Sequence, residues 1–400
     1  MQKLNLGSCT SPEDVLEAVQ KRCGEVAHGE WVLAVHYDQT KFADGKHLHR
    51  DALDLISVQH PILLRHVNGH ASVANTLALE RAGVGPETAD PKGGEYVRDE
   101  SGQLTGVLLE TAHEFVTAKV PNPTLDQMVS AIRAAGDSMA AYGIAMAADM
   151  MTGRFDLALE LQAYAQAESN VQFGLYLQWA TVFGPRGLGV DALKDHDSQI
   201  CGIKIFADGA IGSRTAAIHG TYRDGNETGT LIYTHDRLKQ MVLTAHEAGY
   251  QVAVHSIGDR STDHVLDAFE ATGDPSRHRI EHVMILSDAQ IERIARLGCF
   301  ATCQPEFLVA FGHSYRRQLG PERASKLKRL RSLLDAGVKL SLSSDRPIVS
   351  GDPNLGIQAA IQRPESFDPS EAITKAEAEH AYSVAGALAM GRNFPIAKSP

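Results

Sequence analysis

From about residue 140 onward the chain repeats one pattern: a short apolar run, a loop, then a stretch with helical spacing of apolar residues. The apolar runs are GIAMAADM (143–150), VQFGLYLQW (171–179), ICGIKIFADG (200–209), QVAVHSIGD (251–259), HRIEHVMI (278–285), CFATCQP (299–305) and VKLSLSSDRP (338–347). Between them lie amphipathic segments such as HDRLKQMVLTAHEAG and DAQIERIARLG. Both close on Gly, the usual helix stop, and LRSLLDAG (330–337) does the same. Near-continuous apolar strands alternating with helices imply an α/β fold with a parallel sheet covered by helices. An open doubly wound sheet and a (β/α)8 TIM-type barrel both satisfy that pattern. Seven strands can be counted, one short of a barrel.

The first 140 residues read differently. GEWVLAVHYDQ suggests a strand and HPILLRHVNGHASVANTLALERAG a strand followed by a helix. GGEYVRDESGQLTGVLLE predicts a β-hairpin turning near Glu100–Gly102. The expected organisation is an accessory α+β insertion over 1–140 and a barrel over 141–400 that supplies strands two to eight.

Composition narrows the class. Hydrophobic residues make up 43% and charged residues 22% of the 400, ordinary values for a soluble globular protein. The net charge of −11 opposes nucleic-acid binding, which needs clustered positive charge. No apolar run reaches the roughly 18–20 residues of a membrane-spanning helix, and MQKLNLGSCTSPED does not read as a signal peptide. Cys9, Cys23, Cys201, Cys299 and Cys303 are scattered and odd in number, which favours a reduced, cytoplasmic compartment. No GxGxxG follows a strand, so a dinucleotide-binding enzyme is set aside.

Four polar residues stand at or near the C-terminal ends of four different strands: Lys204 in GIKIFADG, His255 in QVAVH, His282 in RIEH and Asp345 in LSLSSD. In either candidate fold those ends converge on one face, where active sites form. Each could cap its own strand, but four together favour a shared site. His and carboxylate ligands suit a divalent transition metal, most often zinc. A lysine among apolar strand residues resists charging, and a neutral amine can add CO2 to give a carbamate, an anionic ligand able to bridge two metals. An ion pair of Lys204 with Asp208 or Asp259 is an equal alternative.

The set IKIFADGAIGSRTAA, VAVHSIGDR, RIEHV and SLSSDRP, in this order, resembles the amidohydrolase superfamily, and more narrowly its YtcJ-like metal-dependent hydrolases. That group includes N-substituted formamide deformylase. LLRHVNGHASVANTLAL and GEYVRDESGQLTGVLLE also match stretches that the subgroup carries between its first two barrel strands. The resemblance implies a (β/α)8 barrel holding one or two metal ions. By position it makes Lys204 the carboxylated bridging ligand, and His255 and His282 ligands from the fifth and sixth strands. It makes Asp345 both ligand and general base, taking the proton of a metal-activated water and returning it to the leaving amine.

Secondary candidates surround this set. Asp208, Ser213 and Arg214 follow Lys204 in a Gly-rich loop and could bind substrate, though such loops are often plain turns. His66 and His70 in HVNGH stand where a strand turns into a loop, which favours substrate contact. Strand alternation places Arg279 and Glu281 away from His282.

The resemblance also exposes departures. The His-x-His strand that opens such barrels is expected ahead of Met1, and a terminal β-sandwich is also lacking. The barrel is therefore expected to be incomplete at its first strand, with weakened metal binding and exposed edges that invite pairing with a second copy, a homo-oligomer, or aggregation. His47 and His49 form an HLH in a polar, Gly-containing stretch, which reads as a loop. SDRP replaces the commoner SDAP, and Arg346 would depress the pKa of Asp345 if its side chain turned inward. The leading expectation is a metal-dependent hydrolase of a small molecule's non-peptide C–N bond. The alternative is an impaired homologue that acts as a binding or structural protein.

Overall fold

Ile62, Leu63 and Leu64 are consecutive apolar residues, and in a strand they must point to alternate faces. A strand of this kind needs cover on both sides, and the N-terminal part of the chain supplies it. The computed structural model describes residues 3–67 and 71–392, which divide into compact units 1–131 and 132–400. The division falls within the helix Leu125–Ala140.

The first unit holds a mixed sheet of β1 (Leu4–Asn5), β2 (Val32–Tyr37), β3 (Ile62–His66), β4 (Ala71–Ala74), β5 (Gly94–Arg98) and β6 (Leu104–Glu110), in the order β1-β2-β3-β4-β6-β5. Ile62 and Leu64 pack with Val15, Val19 and Leu53 from the helices Pro12–Cys23 and Arg50–Ile56 on one face. Leu63 packs with Ala78 and Leu79 of the helix Thr76–Ala82 on the other. The expected hairpin is β5–β6, paired antiparallel around the Asp99–Gln103 turn. Gly106 (φ 89°) sits where a Cβ would come within 2.3 Å of the Ala74 carbonyl oxygen, so only glycine permits this crossing.

The second unit holds β7 (Met146–Thr152), β8 (Gln172–Gln178), β9 (Ile200–Phe206), β10 (Gln251–Ser256), β11 (Arg279–His282), β12 (Phe300–Cys303) and β13 (Lys339–Leu342). All seven are parallel and pair in sequence order, the arrangement of a TIM-like α/β fold. Every strand expected from the sequence in this region is present. Leu175, Leu177, Ile203, Ile205, Val252 and Val254 face the flanking helices in one large apolar core. Each such buried side chain contributes about 2 kcal/mol.

The opposite face is concave. Register brings Gln178, Lys204, Ala253 and Arg279 side by side on it, and Tyr176, Ala253, Cys201 and the β7 residues Met146, Ala148 and Met150 cluster there with Met390. A Cβ at Gly202 would lie 2.9 Å from the Tyr176 ring, so glycine makes room for this aromatic. Arg279 pairs with Glu281, and its Nη1 donates to the Tyr176 hydroxyl (3.3 Å) and the Ala389 carbonyl (3.2 Å).

Among the described residues β7 and β13 are the edges of this seven-stranded sheet. The helices Lys375–Tyr382 and Val384–Ala389 pack beside β13, and the Tyr382 hydroxyl donates to the Ser343 carbonyl (3.1 Å). No helix among the described residues is long and apolar enough to cross a membrane.

His278 joins the starts of β10 and β11. It is fully buried; its Nδ1 accepts from the Val252 N–H (3.0 Å), so its proton sits on Nε2, which faces His246 Nδ1 (3.0 Å). Burial, aided by the Arg277 guanidinium, pushes its pKa down to about 3. An unfolded histidine titrates near 6.5, so between these values the unfolded chain binds more protons than the native one. Stability is therefore full above pH ~6.5 and falls as pH drops, by about 1.4 kcal/mol per unit from this group. Urea unfolding between pH 7 and 5 should show His278→Gln less stable at pH 7 but with a slope flatter by about one proton. Equal slopes would remove His278 as the linked group.

Candidate functional site

Lys204 occupies the middle of β9 and is only 4% exposed. Among the described residues its ammonium nitrogen has neither a hydrogen-bond acceptor nor an ion-pair partner; it lies 4.8 Å over the Phe206 ring. Burial outweighs the attraction of Glu281 and Asp345 and pushes its pKa down to about 8. The ion pair weighed from the sequence does not form. The Asp208 carboxylate is committed elsewhere, and Asp259 pairs with Arg323 (3.1 Å).

His255 and His282 come together from adjacent strands, their rings T-shaped with centroids 4.5 Å apart. His255 Nε2 donates to the Gly209 carbonyl (2.9 Å), and His282 Nδ1 lies 2.9 Å from Gln304 Oε1. Burial, with the neighbouring Lys204 charge, pushes His255 down to about 3. Burial together with His255, Lys204 and Lys328 holds His282 well below the usual range. Both rings are neutral, and each keeps one nitrogen free of hydrogen bonds to described residues: Nδ1 of His255 and Nε2 of His282.

Strand alternation misplaces this neighbourhood. Glu281 pairs in register with His255, so it shares the concave face, and its charge acts on Lys204, Asp345 and Lys328. His282 should then face outward. It reaches His255 because the backbone turns left-handed there, with φ 79° at His282 and 38° at Val283. Non-glycine residues adopt such angles uncommonly, and those that do cluster at functional sites. Asp345 does so as well (φ 56°). Water reaches Asp345, yet the crowded surroundings still raise its carboxyl pKa against the opposing pull of Lys204. Arg346 turns away from it, its Nη2 donating to Ser138 Oγ (3.1 Å).

Asp208 is 1% exposed and supports the loop rather than facing a ligand. Its carboxylate accepts from the backbone N–H groups of Ala217 (2.9 Å), Ile257 (3.0 Å) and Gly258 (2.8 Å) and from the Ser261 hydroxyl (2.7 Å). Ser213 is exposed, beside Thr215 Oγ1 (2.8 Å). Arg214 Nε donates to Gln318 Oε1 (2.6 Å), and its Nη1 lies 3.4 Å from Glu227. His66 ends β3 in the first unit, buried against Tyr37 and His47 with Asp38 Oδ1 4.0 Å away. His70 lies outside the described residues. His49 caps the helix Arg50–Ile56, accepting the Asp51 N–H (3.3 Å).

The donor chemistry suits a metal ion in one particular way. No three His, Cys, Asp or Glu side chains among the described residues lie close enough to hold one unaided. Two neutral imidazoles, each with its second nitrogen fixed by an oxygen, are nonetheless the usual form of histidine ligands. Gln304 and Lys328 escaped the sequence reading. Gln304 carried the same strand-end signal as the others, in CFATCQP, and Lys328 carried none.

A parallel sheet paired in sequence order, with these groups at the C-terminal ends of its strands, is the arrangement of a TIM-like α/β protein and its site. The amidohydrolase family matches residues 1–393, and the chain belongs to that family. It is 30% identical over 372 residues to YtcJ of Bacillus subtilis (strain 168), covering 92% of this chain and 70% of that protein. Identity to N-substituted formamide deformylase of Arthrobacter pascens is also 30%, over 415 residues, covering 96% of this chain and 75% of the relative. A crystal structure of an uncharacterized metal-dependent hydrolase from Pyrococcus furiosus superposes with a TM-score of 0.80 at 26% identity, over 97% of this chain and 78% of that one.

The Asp208 network offers a direct test. In Asp208→Asn one oxygen is replaced by an NH2 group that must face a backbone N–H. Each lost charge-assisted bond is worth about 1.5–3 kcal/mol. Thermal melts should show the variant destabilised by about that amount or more. An unchanged melting temperature would show that the carboxylate does not organise the loop.

Proposed function

We propose that the chain is a metal-dependent hydrolase that cleaves the C–N bond of a small amide with water. One observation carries this reading: the neutral His255–His282 pair, each ring with one nitrogen left over, beside an amine with no acceptor, all among the described residues. A divalent ion held there would supply Lewis acidity toward water and the substrate carbonyl. Nitrogen and oxygen donors suit zinc, as one ion or two.

Lys204 would enter the ligand set as a carbamate. Its neutral amine attacks CO2, the new N–C bond forms, and the displaced proton leaves to solvent. Nδ1 of His255, Nε2 of His282 and a carboxylate oxygen of Asp345 are the other donors. The raised pKa of Asp345 suits a group that first accepts a proton from water and then delivers it to the leaving nitrogen. Asp208 holds the loop that carries Ser213 and Arg214, the proposed substrate contacts of this unit. The non-catalytic reading has no specific observation in its favour.

The deformylase relative makes N-substituted formamides the first substrates to try, with formate and an amine as products. The reading is of a small-molecule enzyme: the charge of −11 disfavours nucleic acid, and five free thiols suit the reducing cytoplasm.

Zinc-loaded protein is expected to release formate from an N-substituted formamide. Asp345→Asn should lower kcat by about 100- to 10,000-fold. His282→Asn and Lys204→Met should each lower bound zinc, measured by elemental analysis, in protein whose circular dichroism is unchanged. Wild-type zinc content and turnover in all three would end this assignment.

A further inference from the structure

Gln304 and Lys328 lie directly behind His282 and are not among its expected ligand partners. Gln304 is 1% exposed, and Lys328 is fully buried. Lys328 Nζ donates to the His282 carbonyl (2.6 Å) and to Gln304 Oε1 (2.8 Å). The same Oε1 lies 2.9 Å from His282 Nδ1. The other end of the amide, Nε2, donates to Ser343 Oγ (3.0 Å), two residues before Asp345.

This geometry determines which way the amide points. A lysine nitrogen has donors to offer, so the Gln304 atom facing it must be the oxygen; a reversed amide would set N–H against N–H. With the oxygen so placed, the His282 nitrogen beside it must also be a donor. The lysine is itself fixed. Its residue is left-handed (φ 55°), and Arg363 donates to the carbonyls of Lys328 (2.8 Å) and Leu327 (2.6 Å).

We infer that Gln304, oriented by Lys328, locks His282 as the Nδ1–H tautomer and so reserves the Nε2 lone pair for a metal ion. Both are positioning residues, and the inference rests on the proposed role of His282 as a ligand. Without the clamp, a neutral imidazole can place its proton on either nitrogen, and the Nε2–H form cannot coordinate through Nε2. Loss of such an outer partner lowers metal affinity by about 10- to 100-fold.

The test uses the metal-stripped full chain with 15N-labelled histidine. Two-bond 1H–15N spectra identify the tautomer, and His282→Asn assigns the signals. Wild type should show Nδ1–H alone. Gln304→Glu, which keeps an oxygen acceptor, should retain it. Gln304→Leu should populate both tautomers and bind Zn2+ about 10- to 100-fold more weakly in competition with a chromophoric chelator. A wild-type Nε2–H tautomer, or an unmixed Nδ1–H in Gln304→Leu, overturns the inference. Should Gln304→Leu fail to fold, the spectra of wild type and Gln304→Glu still decide. Turnover is not measured, so an inactive protein leaves the test intact. Nδ1–H without any Zn2+ binding would uphold the clamp and refute the metal reading instead.

Discussion

The interaction on which the concave face depends is a buried amine that finds no acceptor among the described residues. Lys204 cannot be comfortably charged where it stands: burial disfavours the ammonium, and no described oxygen receives its protons. Its residual charge then weighs on everything nearby. Burial does most to keep both imidazoles neutral and to raise the Asp345 carboxyl, and the Lys204 charge adds to the first effect and opposes the second. Conversion of that amine into an anionic carbamate would reverse the sign of this field. A group that repels metal ions would become one that attracts them, and the two histidines would already be in the protonation state that a ligand requires.

The parts of this site legible in the sequence are those that follow strand periodicity. Lys204 and His255 lie on the concave face because alternation along apolar strands puts them there, and the same apolar runs revealed all seven parallel strands. His282 broke the rule. Alternation correctly set it opposite Glu281, but the left-handed turn at His282 and Val283 brought the ring back toward His255. No residue type in RIEHV announces such a turn, since neither His nor Val is the glycine that would mark it. Glu281 was misread for the complementary reason: it obeyed the alternation and joined the site.

Loop chemistry was less legible still. The ADGAIGSR segment offers an aspartate, a serine and an arginine, all of which look available for substrate. In the folded chain Asp208 has turned inward to gather three backbone N–H groups and a hydroxyl from two other segments. Several unpaired amides near a strand end demand one anionic acceptor, and which carboxylate answers depends on segments some 50 residues away in sequence. Lys328 is a more extreme case. Its nitrogen reaches a carbonyl 46 residues earlier in the chain, and nothing in SKLKRLRSLL separates it from solvent-facing lysines.

Those distant partners explain why a strained backbone can persist at His282. Left-handed conformations cost about 1–3 kcal/mol and survive only where the surroundings over-determine them. Here the His282 carbonyl is held by Lys328, its ring by Gln304, and the backbone N–H of Val283 donates to the Ser256 carbonyl (3.1 Å). The three contacts come from three different segments, and each fixes a different atom of the same turn. Removing one loosens a conformation that local sequence alone would not choose. The apolar strands thus place the ligand candidates on one edge of the sheet, while the direction in which His282 points is decided by a lysine, an amide and a backbone bond.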